Sequence, residues 1–129
     1  MLRASPERMP RRVSAVLPIR LAAWTVTILL VALSVVPPNL RPQTILPHNL
    51  EHFASFVLVG ILWSVGYPRR LLLWLSAAVA FAASLELLQL VMPGRHARLI
   101  DFLMDAIGAC VGVLVGFIVL RWPTAGRRS

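Results

Sequence analysis

Four of the five carboxylates in this 129-residue chain, Glu51, Glu86, Asp101 and Asp105, fall at or near the ends of apolar runs. The histidines His48, His52 and His96 share those neighbourhoods. A carboxylate beside an imidazole can shuttle protons, hold a cation or accept hydrogen bonds from hydroxyl and ammonium groups. Arg95 and Arg98 stand between Glu86 and Asp101, and a guanidinium fork suits phosphate or carboxylate. The expected polar cluster is Glu86, Gln89, Arg95, Asp101, Asp105 and His52. Of the adjacent pair Glu51 and His52 only one can face inward, and His52 is the expected one. Glu86, Asp101 and Asp105 have the chemistry for a hard divalent cation, or with His52 for zinc. No spacing commits them to a metal or identifies a cofactor. Neither Gly-x-Ser-x-Gly nor His-Glu-x-x-His occurs, so no nucleophile or metalloprotease motif assigns a reaction.

The composition says what must position these groups. Apolar types make up 58% of the chain and charged types 14%, with a mean hydropathy of +0.78. A water-soluble domain carries about 25% charged residues. The 13 basic residues are all arginine, and the formal net charge is +8. Nucleic-acid binding would need a basic face on a soluble scaffold, whereas here the arginines separate long apolar stretches. Cys110, the single cysteine, permits neither an intramolecular disulfide nor a cysteine-based zinc cluster. The expected class is an all-α integral membrane bundle.

Proline punctuates the bundle. Pro18, Pro37-Pro38, Pro47, Pro68, Pro93 and Pro123 bracket four apolar runs, at about 19–36, 50–67, 71–92 and 97–122. A helix crossing the ~30 Å hydrocarbon layer needs about 20 residues, so four transmembrane helices are expected. The organisation is then a basic segment over 1–18, a membrane domain over 19–122 and a tail over 123–129. A cleavable signal peptide is the rival for the first run, with Ala32-Leu33-Ser34 as its site; no mature soluble domain follows to support it. Ten arginines fall on the face shared by the N-terminus, the second loop and the C-terminus, against Arg41, Arg95 and Arg98 on the other. The positive-inside rule then puts both termini in the cytoplasm and the polar cluster outside.

Glu86 precedes Met92 by six residues, which at ~1.5 Å per residue is ~9 Å into the outer half of its span. A charge near a span centre costs about 2.5 to 3.5 kcal/mol, so such residues mark functional sites facing the bundle or a water-filled cavity. Helical periodicity supplies the direction. With Asp101 at zero and 100° per residue, Asp105, Gly108, Gly112 and Gly116 fall between about −20° and +60°. The ladder Gly108-xxx-Gly112-xxx-Gly116 lets another backbone approach closely, so the face carrying both aspartates is the packed one. Cys110 falls opposite, toward lipid. Asp101 and Asp105 are like charges at i,i+4 and need compensation, from Arg98 or Arg95, from a proton, or from a cation.

Glu86-x-x-Gln89, Pro93-Gly94-Arg95, then Asp101, Asp105 and Gly108 resemble the signature of VanZ-like membrane proteins. That pattern runs E-x-x-Q, P-x-R and D-x-x-x-N-x-x-G at the start of the last span, and the resemblance covers about residues 20 to 120. A further element, D-K-x-x-H-F at the start of span two, is matched by His52-Phe53. His48 and Asn49 stand where the family has the acid and the lysine, and Asp105 where it has asparagine. The resemblance implies a small bacterial plasma-membrane protein acting at the envelope, in a family named for resistance to the glycopeptide teicoplanin.

The expected function is a polar pocket on the outer side that binds an envelope ligand, such as a lipid-linked cell-wall intermediate or a glycopeptide. The alternatives are a membrane-embedded acid–base or metal-assisted enzyme, and a structural subunit that oligomerises through the glycine ladder. A conduit is disfavoured, because spans three and four are almost wholly apolar beyond Glu86 and Asp105.

Overall fold

The computed structural model describes residues 11–37, 40, 45, 47–68, 70–91 and 98–121. Four helices make up this part: α1 (Arg11–Val35), α2 (His48–Gly66), α3 (Leu71–Leu90) and α4 (Leu99–Arg121). Each contains a stretch long and apolar enough to cross a membrane: Val16–Val35, Asn49–Gly66, Leu71–Leu90 and Leu99–Arg121. Large side chains such as Leu72, Leu87, Ile118 and Val119 are exposed. In water that surface would aggregate; in a bilayer it is the lipid-facing side.

One boundary differs from expectation. Pro18 does not start the first helix but lies inside α1, which begins at Arg11. The missing donor leaves the Ser14 carbonyl without its helical bond. That loss falls near the basic end of the span, where water can substitute. The remaining helix ends fall within two residues of the expected apolar boundaries, with proline or arginine flanking them.

The most extensive pairing is α2 with α4, followed by α3 with α4 and α1 with α2. No comparable contact joins α1 to α4 among the described residues. Inside hydrocarbon there is no hydrophobic drive between helices, so close packing of small residues must supply the attraction. The glycine ladder does this within the chain. A Cβ built on Gly108 would stand 2.7 Å from the Phe53 carbonyl oxygen, and one on Gly112 would collide with the carbonyl of Val57. From the other side, a Cβ on Gly60 would meet the Ala109 carbonyl and come 2.8 Å from the Val113 nitrogen. The two backbones therefore touch directly, in parallel, at a register that glycine alone permits. Beside this seam, Phe56, Ala82, Leu85, Ala106 and Ala109 form the buried apolar cluster. Cys110 is half-buried rather than fully turned to lipid.

Gly116 differs from Gly112 in what opposes it. Its Cβ would collide with Ser64 Oγ, a side-chain atom, whereas Gly112 faces backbone. Gly116→Ala is expected to destabilise by about 1 kcal/mol, as for modest overpacking. Adding Ser64→Ala should recover part of that loss. Thermal unfolding of the single and double variants checks it, and a double variant as unstable as Gly116→Ala alone would refute the contact.

Candidate functional site

The α2–α4 register determines which polar groups meet. His52 lies in the second turn of α2, and Asp105 in the second turn of α4. Because both helices start at the same end and the ladder locks them side by side, His52 Nδ1 reaches Asp105 Oδ1 at 3.0 Å. Asp105 is almost fully buried at 2% exposure, and the His52 side chain retains 14%. The pair is a salt bridge when the imidazole carries its second proton, and otherwise a hydrogen bond from Nδ1–H to the carboxylate. The compensation for two acids on one helix face thus comes, at Asp105, from α2. Asp101 is also buried, at 7%.

Glu86 and Gln89 enter from the end of α3. Gln89 is buried, and Glu86 half-buried. Glu86 Oε1 accepts a hydrogen bond from the backbone N–H of Arg98, the residue just before α4. The first amides of a helix have no internal acceptor, and a carboxylate there is favoured by the helix dipole. Glu86 therefore caps α4 from another helix. Its second oxygen, Oε2, is buried with no hydrogen-bond partner among the described residues. A buried carboxylate oxygen without a partner among the described residues is costly to maintain.

Of the expected cluster, the fold brings His52, Glu86, Gln89, Asp101 and Asp105 to one end of the bundle. Arg95 lies outside the described residues, with Pro93-Gly94, His96 and the segments 1–10 and 122–129. Arg98 was one of several possible partners for Asp101. Its backbone N–H serves Glu86 and its carbonyl accepts from Asp101 N at 2.9 Å, while the residue itself is exposed. Among the described residues no three of His, Cys, Asp and Glu are placed to hold a metal ion together.

Sequence reasoning missed the partner of the glycine ladder. His52, Phe56, Gly60 and Ser64 recur every fourth residue, and the last three are buried. That spacing is one helical stripe; it was legible as the complement of the Asp105–Gly116 face. The α4 cap was also missed, and its signal was weaker: a carboxylate on one helix close in sequence to the start of the next.

The arrangement offers carboxylate acceptors, an imidazole and an amide within a membrane, at the ends of three helices. It suits a ligand rich in hydrogen-bond donors. The VanZ/LLP1 family model matches residues 9–120, most of the chain. No curated protein and no solved structure matches it. The chain belongs to the VanZ/LLP1 family.

Proposed function

We propose that this VanZ/LLP1 membrane protein uses the Glu86 end of its bundle to bind the polar head of an envelope molecule, with the lipid part of that molecule lying in the bilayer. The observation that carries this reading is the buried Oε2 of Glu86, without a hydrogen-bond partner among the described residues, beside the buried Asp101 and the Asp105–His52 pair. Acids outnumber bases here, so the contacts offered are acceptors for hydroxyl or ammonium groups. Sugars, amino sugars and the amines of cell-wall peptides carry such groups. Arg95 and Arg98, flanking the start of α4 in the sequence, supply the cations for a phosphate linking head to lipid. The membrane is the bacterial plasma membrane, the termini are cytoplasmic by the arginine bias, and the site faces the envelope. A glycopeptide, or the precursor it targets, falls within this ligand class.

The Asp105–His52 contact favours a second reading, acid–base chemistry on the bound molecule. With Nδ1 committed to Asp105, proton transfer would fall to Nε2, the arrangement by which a carboxylate orients a catalytic imidazole. Binding is ranked first because the residues of the cluster carry no hydroxyl or thiol nucleophile and no motif assigns a reaction.

A polyprenyl-phosphate-linked amino sugar is the probe. Titrated into purified protein in detergent, it should bind wild type and lose about tenfold or more in affinity to Glu86→Gln, the effect of one hydrogen bond to a charged group. Equal affinities would overturn the reading. In a glycopeptide-susceptible host, any protection conferred by the wild-type chain should disappear with the same substitution.

A further inference from the structure

The opposite end of the bundle carries a different kind of site. A cavity of about 310 Å³ opens among the four helices, walled by Trp24, Thr27, Trp63, Trp74, Ala78 and Phe81 together with small residues of α2 and α4. This volume lies at the lower end of the ~300–1,000 Å³ typical of ligand pockets. Two indole N–H groups have their hydrogen bonds made within the protein. Trp63 Nε1 donates to Thr27 Oγ1 at 2.9 Å, and Trp74 Nε1 donates to the Tyr67 carbonyl at 2.8 Å. Trp24 meets Trp63 edge-on at 4.8 Å. The rings are thus fixed in place, and the cavity lining is largely apolar. A polar molecule would find little to bond there; an acyl chain would be at home.

The rim adds a charge. Arg20 stands one helical turn before Trp24, four residues into the Val16–Val35 span and so ~6 Å from its start. Its Nε donates to the carbonyl of Gly66, the last residue of α2, at 3.0 Å. Its guanidinium lies 4.4 Å from the centre of the Tyr67 ring, and that ring stacks on cavity-wall Trp63 at 5.2 Å. Arg20 is exposed, and the described acids Glu51, Glu86, Asp101 and Asp105 all lie toward the other end of their helices. Among the described residues, no carboxylate stands at this end to neutralise the exposed guanidinium.

We propose that this cavity is a lipid site, holding one acyl chain of an anionic phospholipid from the leaflet at the Arg20 end, with the phosphate on Arg20. The occupant follows from charge complementarity. A fixed guanidinium at the rim of an apolar, aromatic-walled cavity matches a phosphate joined to a hydrocarbon chain. The site is separate from the Glu86 cluster and does not depend on the reading given to it.

Three of the wall residues are tryptophans, so the site reports on itself. The protein is reconstituted in phosphatidylcholine nanodiscs containing a small fraction of phosphatidylglycerol or phosphatidylcholine with brominated chains, and tryptophan quenching is titrated. Brominated phosphatidylglycerol should quench at lower mole fraction than brominated phosphatidylcholine. Arg20→Gln should reduce that preference about fivefold, the worth of one basic residue near an anionic surface. Arg121→Gln should retain it; Arg121 rests on Phe117, 4.2 Å from its ring centre, and does not line the cavity. Ala78→Phe, or Ala78→Leu if that variant does not fold, should abolish the preference by filling the space. A preference unchanged by Arg20→Gln would overturn the proposal. So would one reduced equally by Arg121→Gln, since bulk attraction to the +8 chain would then account for it.

Discussion

Gly112→Val is expected to destabilise the bundle by about 3 kcal/mol or more, at or above the upper end of ordinary overpacking. The reason is the identity of the opposing atom. A Cβ at this position collides with the Val57 carbonyl, and a backbone atom cannot rotate away as a side chain can. Valine can be accommodated only if α2 and α4 separate along the seam formed by Gly60, Gly108 and Gly112. The consequence reaches the polar end, because the same seam aligns His52 with Asp105. Unfolding in a single detergent, with Val111→Ala as a lipid-facing control expected within about 0.5 kcal/mol of wild type, measures the effect. A Gly112→Val protein as stable as wild type would mean that the two helices do not touch there.

His52→Ala is the second large effect, with an expected loss of about 3 kcal/mol, as when one partner of a buried charge pair is removed. Asp105, at 2% exposure, would lose the imidazole at 3.0 Å and remain buried beside Asp101. The loss should be smaller when Asp105→Asn is already present, because the stranded charge is then gone. A double-mutant cycle isolates that coupling. Strictly additive single effects would show that the contact contributes nothing beyond its parts.

Much of this was readable from residue types and spacing. Apolar run lengths gave four spans, and 100° periodicity placed Asp101, Asp105 and the glycines on one buried face. Helical geometry allowed only one of Glu51 and His52 to face inward; His52 was the expected one, and the fold places it against Asp105. Three things went unread. Pro18 looked like a boundary, because proline punctuation assumes that helix and apolar span end together. Here the helix runs on into basic residues outside the span. The pairing partner of the glycine ladder was also missed, since a small-residue face by itself specifies close approach but not by which helix. Only the complementary stripe of Phe56, Gly60 and Ser64 decides for α2. The link from Glu86 to the Arg98 amide lay further out of reach, because it depends on how the α3–α4 connection brings two helix ends together.

The central claim is that the Glu86 carboxyl is kept partly unsatisfied for a ligand rather than for packing. Glu86→Gln separates the two, since the amide carbonyl can still accept from the Arg98 N–H while the carboxyl is removed. Thermal unfolding of wild type and Glu86→Gln, purified in the same detergent without added ligand, is the direct measurement. Functional groups are commonly held at the expense of stability, so the variant should melt at the wild-type temperature or above it. A variant that melts several degrees lower would contradict the claim, and Glu86 would be a structural cap joining α3 to α4.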